Sequence, residues 1–251
     1  RDPAFPFFRS RVYKYPLTEF AGQLDRHTLF SLNWRFGGAS GWSRFGQSEK
    51  DLETLLQQWV VEATEKGWLQ PQGALGLFPC YREEDTVVIL DPDEHRKEIA
   101  RLPFTVVIGG GNEDLVSGAQ YFSEKSDGTF DIIGIQLTTA GAQVESVIDD
   151  FKSKDDFESA LFLQGLSNRI AEDMADHVHA KARELVGVAE NCGQRWSPGY
   201  PGLRDIQLNG VIHKILDGEK LLGVQVAESG EFLPTGTTGA AVSFHPEARY
   251  I

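Results

Sequence analysis

The stretch Phe130-Asp131-Ile132-Ile133-Gly134-Ile135-Gln136-Leu137-Thr138-Thr139 decides the fold. Isoleucine and threonine favour the pleated backbone, and no proline interrupts the run. Apolar residues stand at neighbouring positions, Ile132 and Ile133, so neither face is written for water throughout. Such a segment reads as a central strand. Working outward, Gly73-Ala74-Leu75-Gly76-Leu77-Phe78-Pro79, Thr86–Leu90 and Phe104–Ile108 are short, apolar or β-branched, and bounded by turn residues. They read as further strands. Residues 91–101 between them are rich in charge and read as a solvated connection.

Helical spacing appears on both sides of these strands. In residues 49–66, Leu52, Leu55, Leu56, Trp59, Val60 and Ala63 fall on one helical face. Ser48 with Asp51 suits its start and Gly67 its end. Residues 156–186 predict a long helix, with Phe162, Leu166, Ile170, Met174 and Val178 recurring every four residues. Glu172, Asp176 and His179 make another stripe on it. His177 and His179 are two apart, face different ways, and cannot chelate one metal ion together. A shorter amphipathic helix is expected over 206–217 (Leu208, Val211, Ile212, Ile215, Leu216), ended by Gly218. Two late strands, Leu222–Ala227 and Ala240–Phe244, flank the hydroxyl-rich loop Pro234-Thr235-Gly236-Thr237-Thr238-Gly239.

Residues 1–23 carry Phe5, Phe7, Phe8, Tyr13 and Tyr15 among prolines. Their spacing argues against a helix and for an extended N-terminal arm that packs its aromatics on the body. Residues 24–46 place Phe30, Trp34, Phe36 and Trp42 beside Gly37, Gly38 and Gly41, an aromatic core under a loop. Asp25 is a carboxylate leading into this apolar region. Strands and helices do not alternate, and no repeat is visible, so a doubly wound parallel sheet is not indicated. The expected fold class is α+β: a single domain over 24–251 with a mainly antiparallel twisted sheet flanked by helices, preceded by the arm.

Composition narrows the partners. Hydrophobic residues make up 41%, enough for a folded core. With 24 Lys+Arg against 37 Asp+Glu, the net charge of −13 repels nucleic-acid backbones and anionic lipid surfaces. Cys80 and Cys192 are too few for a disulfide framework and read as buried thiols of a cytoplasmic protein. No apolar run approaches the about 18 residues that span a bilayer, and no signal peptide is apparent. A chain opening at Arg1 is expected to be processed or cut from a longer one.

Chemistry concentrates in Arg195-Trp196-Ser197-Pro198-Gly199-Tyr200-Pro201. Two prolines around a glycine able to take positive φ make a stiff loop. Arg195 offers a planar fork for a carboxylate, and Tyr200 an aromatic face for a cation. A small zwitterion suits the pair, although a Pro/Gly turn with only a structural role has the same composition. Gly109-Gly110-Gly111-Asn112 lacks the phosphate-binding glycine patterns and reads as a turn.

Arg-x-x-Pro-Gly-Tyr-Pro resembles the signature of the S-adenosylmethionine-binding activation domain of cobalamin-dependent methionine synthase. The resemblance extends to Gly73–Pro79, to Asp131-Ile132-Ile133-Gly134 running into Thr139-x-Gly141, and to an acidic-aromatic turn at Asp149-Asp150-Phe151. It includes the helix from Leu166 to His179, Glu228-Ser229 with Pro234, and His245-Pro246 with Tyr250. It covers roughly residues 24–251. Departures are Asn168 in place of a helix Asp, Thr237 and Gly239 where serines are common, and Leu203-Arg204-Asp205-Ile206 in place of a Cys-Pro-acid-His run. The spacing from Asp25 to Trp34 is one residue longer than the family pattern.

The resemblance implies a domain that binds S-adenosylmethionine and donates its methyl group to cob(II)alamin during reductive reactivation. Such a domain is a methyltransferase only with a cobalamin-binding domain, in cis or in trans, and with flavodoxin or another reductase as electron donor. It implies ligand contacts from Asp25 (to the ammonium), Glu172, Arg195, Pro198, Gly199, Tyr200, Tyr250 and Ile251. No catalytic nucleophile is expected in the chain. A regulatory module that senses S-adenosylmethionine without chemistry is the alternative.

Overall fold

The structure is a computed structural model that describes residues 5–37, 48–94, 97–108, 115–125 and 130–249. Gly38, Gly41 and Trp42, the Gly109–Asn112 turn, and the terminal Tyr250 and Ile251 lie outside the described residues. In chain order the elements are β1 (Phe8–Lys14), the helical turns α1 (Leu17–Phe20) and α2 (Arg26–Thr28), α3 (Glu49–Lys66), β2 (Gln72–Glu83), β3 (Thr86–Leu90), β4 (Glu98–Pro103), the hairpin β5 (Val106–Ile108) and β6 (Leu115–Ser117), β7 (Asp131–Thr139), α4 (Val144–Ser153), α5 (Phe157–Val186), β8 (Gln194–Trp196), α6 (Leu208–Leu216), α7 (Gly218–Leu222), β9 (Gln225–Val226), β10 (Phe232–Leu233) and β11 (Thr237–Ser243).

One antiparallel sheet organises them, in the order β4-β3-β2-β7-β11-β8. β7 is central, as its composition requires, and pairs with β2 along its whole length, from Asp131↔Cys80 to Thr139↔Gln72. Long β2 carries two neighbours on its other side: β1 beside its first half and β3 beside its second. Side chains alternate across the sheet. Leu75, Leu77, Ile132 and Val242 join one core with α3, α4 and α5, while Ala74, Phe78, Ile133, Ile135 and Leu137 join a second with Trp196 and α6.

Polar side chains occupy part of the face under α5. Gln136 Nε2 donates to the Ala175 carbonyl (3.2 Å) and Thr138 Oγ1 to the Ala171 carbonyl (2.9 Å), all in the interior. The helix lies close because small residues oppose it: a Cβ at Gly73 would stand 2.8 Å from Thr138 Cγ2 and 2.9 Å from Val178 Cγ2. Phe162, Leu166, Ile170, Met174 and Val178 are all buried, and burial stabilises each by about 1.5–3 kcal/mol.

Helix ends follow the expected chemistry. Ser48 and Asp51 form a reciprocal capping box on α3, and Gly67 closes it at φ +66°. Asp156 caps α5 through the Ser159 amide, and Gly187 ends it. Ahead of α1, Phe5, Phe7, Phe8, Tyr13 and Tyr15 pack on the first core, and Phe8–Lys14 is a paired strand.

Several readings need correction. Residues 98–101, expected in a solvated connection, belong to edge strand β4. Its charges belong to the open face, where Arg101 pairs with Glu98 and Glu83, while Leu102 is buried. Asp149-Asp150-Phe151 is not a turn but part of α4, where Phe151 packs on the first core. A helical turn follows Pro16 despite the prolines, since a proline ahead of a helix's first residue costs no hydrogen bond. Of the expected strand 222–227 only β9 (Gln225–Val226) forms, because α7 runs to Leu222 and Gly223 caps it. Asp217, at φ +55°, rather than Gly218, closes α6. Cys80 is buried, but Cys192 is only half-buried.

Candidate small-molecule site

Arg195 sits on β8, a sheet edge, and not on the stiff loop itself; it pairs with Val242. Alternation sends Trp196 and Arg195 to opposite faces. Trp196 is fully buried, donates its indole N–H to Ser243 Oγ (3.1 Å), stacks on Tyr121 and meets Phe104 edge-on. The loop after it folds back over this ring. A Cβ at Gly202 would lie 2.6 Å from Trp196 Cε3, so only glycine lets the backbone pass. Gly199 takes φ +88°, donates to the Leu203 carbonyl (2.7 Å), and so closes the turn that exposes Tyr200.

On the other face, Arg195 reaches α5. Its Nη2 donates to Asp176 Oδ1 at 2.8 Å, while Nη1 is buried without a partner. Glu172 and Asp176 are one turn apart and share a helix face. Between α5 and the loop opens a cleft of about 260 Å³, floored by Gln136, Thr238 and Ala240 and walled by Glu172, Arg195, Ser197 and Tyr200. Gln136 Oε1 is a second buried atom without a partner. A lobe of about 230 Å³ abuts it, sharing Glu172, Ser197, Tyr200 and Thr238, and adding Pro198, Asn209, Glu231 and Thr237. Together the two are in the size range of sites for small molecules. The far wall is pinned: Thr235 donates from its amide and hydroxyl to Glu145 Oε2 (2.8 and 2.5 Å), and Thr237 Oγ1 to Thr139 Oγ1 (2.9 Å).

Of the residues expected from sequence, Glu172, Arg195, Pro198 and Tyr200 line these lobes, and Gly199 shapes the loop between them. Asp25 lines neither. Its carboxylate caps α2, accepting from Thr28 N (3.1 Å) and Thr28 Oγ1 (2.6 Å), and these bonds hold it below the usual carboxylate range. Its amide donates to Asp173 Oδ2 (2.9 Å), which ties it to α5 beside Glu172. An acid three residues before Thr28 is a helix cap before it is anything else. Asp173 in turn pairs with Arg169 (2.8 Å), and burial raises its carboxyl. Sequence reading passed over Gln136 and Thr238. The signal for Gln136 was present: a carboxamide within an apolar central strand.

His179 follows Asp176 on the same stripe but is buried, with Nε2 unpartnered. Burial, reinforced by the positive charges of Arg183 and Arg195, pulls it down to about 3. The unfolded chain therefore binds a proton between that value and 6.5 that the folded chain refuses. Stability should be complete above about pH 6.5 and fall with acidification, by ~2 kcal/mol between pH 7 and pH 5. Urea unfolding at both pH values tests this, and His179→Leu should flatten the dependence. An unchanged slope would assign it elsewhere.

Fold and cleft define an α+β domain with a cleft of small-molecule size between a long helix and a proline-braced loop. The sequence model of the family described as "Vitamin B12 dependent methionine synthase, activation domain" matches residues 27–251, and the chain belongs to that family. It is 24% identical over 278 aligned positions to the methionine synthase of Mycobacterium leprae (strain TN), and 26% identical to that of Mycobacterium tuberculosis (strain ATCC 25618 / H37Rv). Both alignments cover 99% of this chain, which spans 23% of either relative's length. Among solved structures, the MetH reactivation domain bound to AdoHcy superposes with a TM-score of 0.81 at 22% identity, over 96% of this chain and 80% of that one. The α+β fold expected from the sequence is thus a known one.

Proposed function

We propose that the chain binds S-adenosylmethionine in the Glu172–Arg195–Tyr200 cleft and presents its methyl group to a cobalamin held by another domain, in cis or in trans, during reductive reactivation. The observation that carries this is the half-buried Arg195 fork, with one nitrogen held by Asp176 and the other buried and unpartnered at the cleft wall. A ligand carboxylate satisfies that fork with a charge-assisted hydrogen bond. Glu172, exposed and without an ion pair among the described residues, suits the ammonium. The open ring of Tyr200 suits the sulfonium or the adenine. Pro198 and Gly199 contribute backbone, and the motif adds Tyr250 and Ile251. Asp25 supports α5 through Asp173 instead of touching the ligand.

When bound, S-adenosylmethionine supplies an electrophilic methyl group, and the partner's cobalamin supplies the metal that takes it. This chain's own residues bind, orient and exclude water. Residues 24–251 act as the binding unit, with 1–23 as the arm. The electron comes from flavodoxin or another reductase, and the setting is the cytoplasm. No helix of the described residues is long and apolar enough to cross a membrane.

Calorimetric titration with S-adenosylmethionine and S-adenosylhomocysteine tests the binding; absence of saturable heat with both would end the proposal. Tyr200→Phe should be nearly silent in that titration, and Tyr200→Ala should weaken binding roughly 5- to 30-fold, the loss of one cation–π or stacking contact. Equal damage from both changes would transfer the role to the hydroxyl.

A further inference from the structure

We propose a second ligand site, for a small carboxylate bearing a neighbouring hydroxyl or amino group, where β2 begins beside the C-terminal end of β7. A cleft of about 280 Å³ opens there, lined by Lys14, Trp68, Gln72, Gln143, Leu222 and Gly223 among others, and it shares no residue with the Glu172–Arg195–Tyr200 cleft. Its deepest polar group is Gln72, only 5% exposed. The amide nitrogen donates to the Leu222 carbonyl (3.2 Å), and Oε1 is buried without a partner. An oxygen of this kind calls for an N–H or O–H donor.

Two features of the same cleft call for negative charge. Gly141, Ala142 and Gln143 on its wall lead into ten-residue α4, whose N-cap Gln143 makes no side-chain cap bond, so the positive end of the helix dipole lies at the cleft wall. The first-turn carboxylate that would otherwise compete, Glu145, is engaged by Thr235. Lys14, at the end of β1, is exposed and has no ion pair among the described residues. Trp68 and Leu222 supply apolar sides for a short carbon skeleton.

The walls hold this shape without a ligand. Gly141 stands at φ +119° and Gly223 at φ +69°, and a Cβ at Gly223 would lie 2.9 Å from Ala142 Cβ. Anion-seeking and donor-seeking groups therefore face one small rigid space. An α-hydroxy or α-amino carboxylate meets both demands, whereas a simple anion meets one.

The test uses the ¹⁵N-labelled chain, with the amides of Gly67, Gly141 and Gly223 as reporters, titrated with L-lactate, L-alanine, acetate and inorganic phosphate. Saturable shifts with L-lactate or L-alanine are expected, with acetate and phosphate roughly tenfold weaker or worse. Lys14→Ala should weaken the binding about tenfold, the worth of one charge-assisted hydrogen bond, and leave S-adenosylmethionine affinity unchanged. Saturating S-adenosylmethionine should leave the L-lactate titration in place if the two clefts are separate. The proposal falls if no probe gives a saturable shift, if acetate or phosphate binds as well as L-lactate and L-alanine, or if Lys14→Ala has no effect. None of these outcomes bears on the Arg195 cleft.

Discussion

Arg195→Ala is expected to weaken S-adenosylmethionine binding by about 2–4 kcal/mol, a 30- to 1000-fold rise in Kd. The guanidinium is half-buried at the cleft wall, held by Asp176 on one nitrogen and unpartnered on the other. Removing it costs the ligand a charge-assisted bond and leaves the ligand's carboxylate against a partly dry wall. The strand itself should survive, because β8 is held by backbone pairing to β11 and by Trp196. Calorimetry together with urea unfolding separates the two effects. Asp176→Ala gives the internal control: Asp176 is largely exposed and orients the fork without lining the cleft, so its loss should cost under ~1 kcal/mol. Unchanged affinity in a folded Arg195→Ala protein would remove the side chain from the site.

The second large effect is on stability. Trp196→Ala should cost about 3–5 kcal/mol and lower the thermal midpoint by roughly 10 °C or more. The indole is 1% exposed and packs between Tyr121 and Phe104, with its N–H on Ser243. The loop that carries Pro198, Gly199 and Tyr200 rests on this ring through Gly202. Ligand affinity should therefore fall along with stability, although Trp196 lines neither lobe of the cleft. Trp196→Phe, which keeps a ring under Gly202 but loses the hydrogen bond, should recover most of both. Denaturant unfolding that stayed within about 1 kcal/mol of the parent would show the ring to be dispensable.

Much of this was legible because the signals are local. The apolar run at 131–139 could only be an interior strand, and it is the centre of the sheet. The four-residue spacing from Phe162 to Val178 and the Ser48–Asp51 cap define helices whose ends match to within a residue. Charge concealed the strand at 98–103, since an edge strand needs apolar residues only where it meets the core, and there Leu102, with half-buried Ile99 and Ala100, supplies them. The resemblance implied a turn at Asp149-Asp150-Phe151, but these residues belong to a helix held on the core by Val144, Val147, Ile148 and Phe151.

The site divides in the same way. Arg195, Pro198, Gly199 and Tyr200 are close in sequence, so their types and spacing determined the loop, and Glu172 was placed by its helical stripe and the family pattern. Composition and these motifs determined the α+β class and the family. Only the tertiary structure decided that Gln136 and Thr238 floor the cleft, that Asp176 holds the Arg195 fork, and that Asp25 is spent on capping α2. Periodicity and capping are properties of neighbours along the chain, whereas a cleft is made by strand register and helix packing between segments far apart, and β11 pairs with β7 across about a hundred residues of intervening chain.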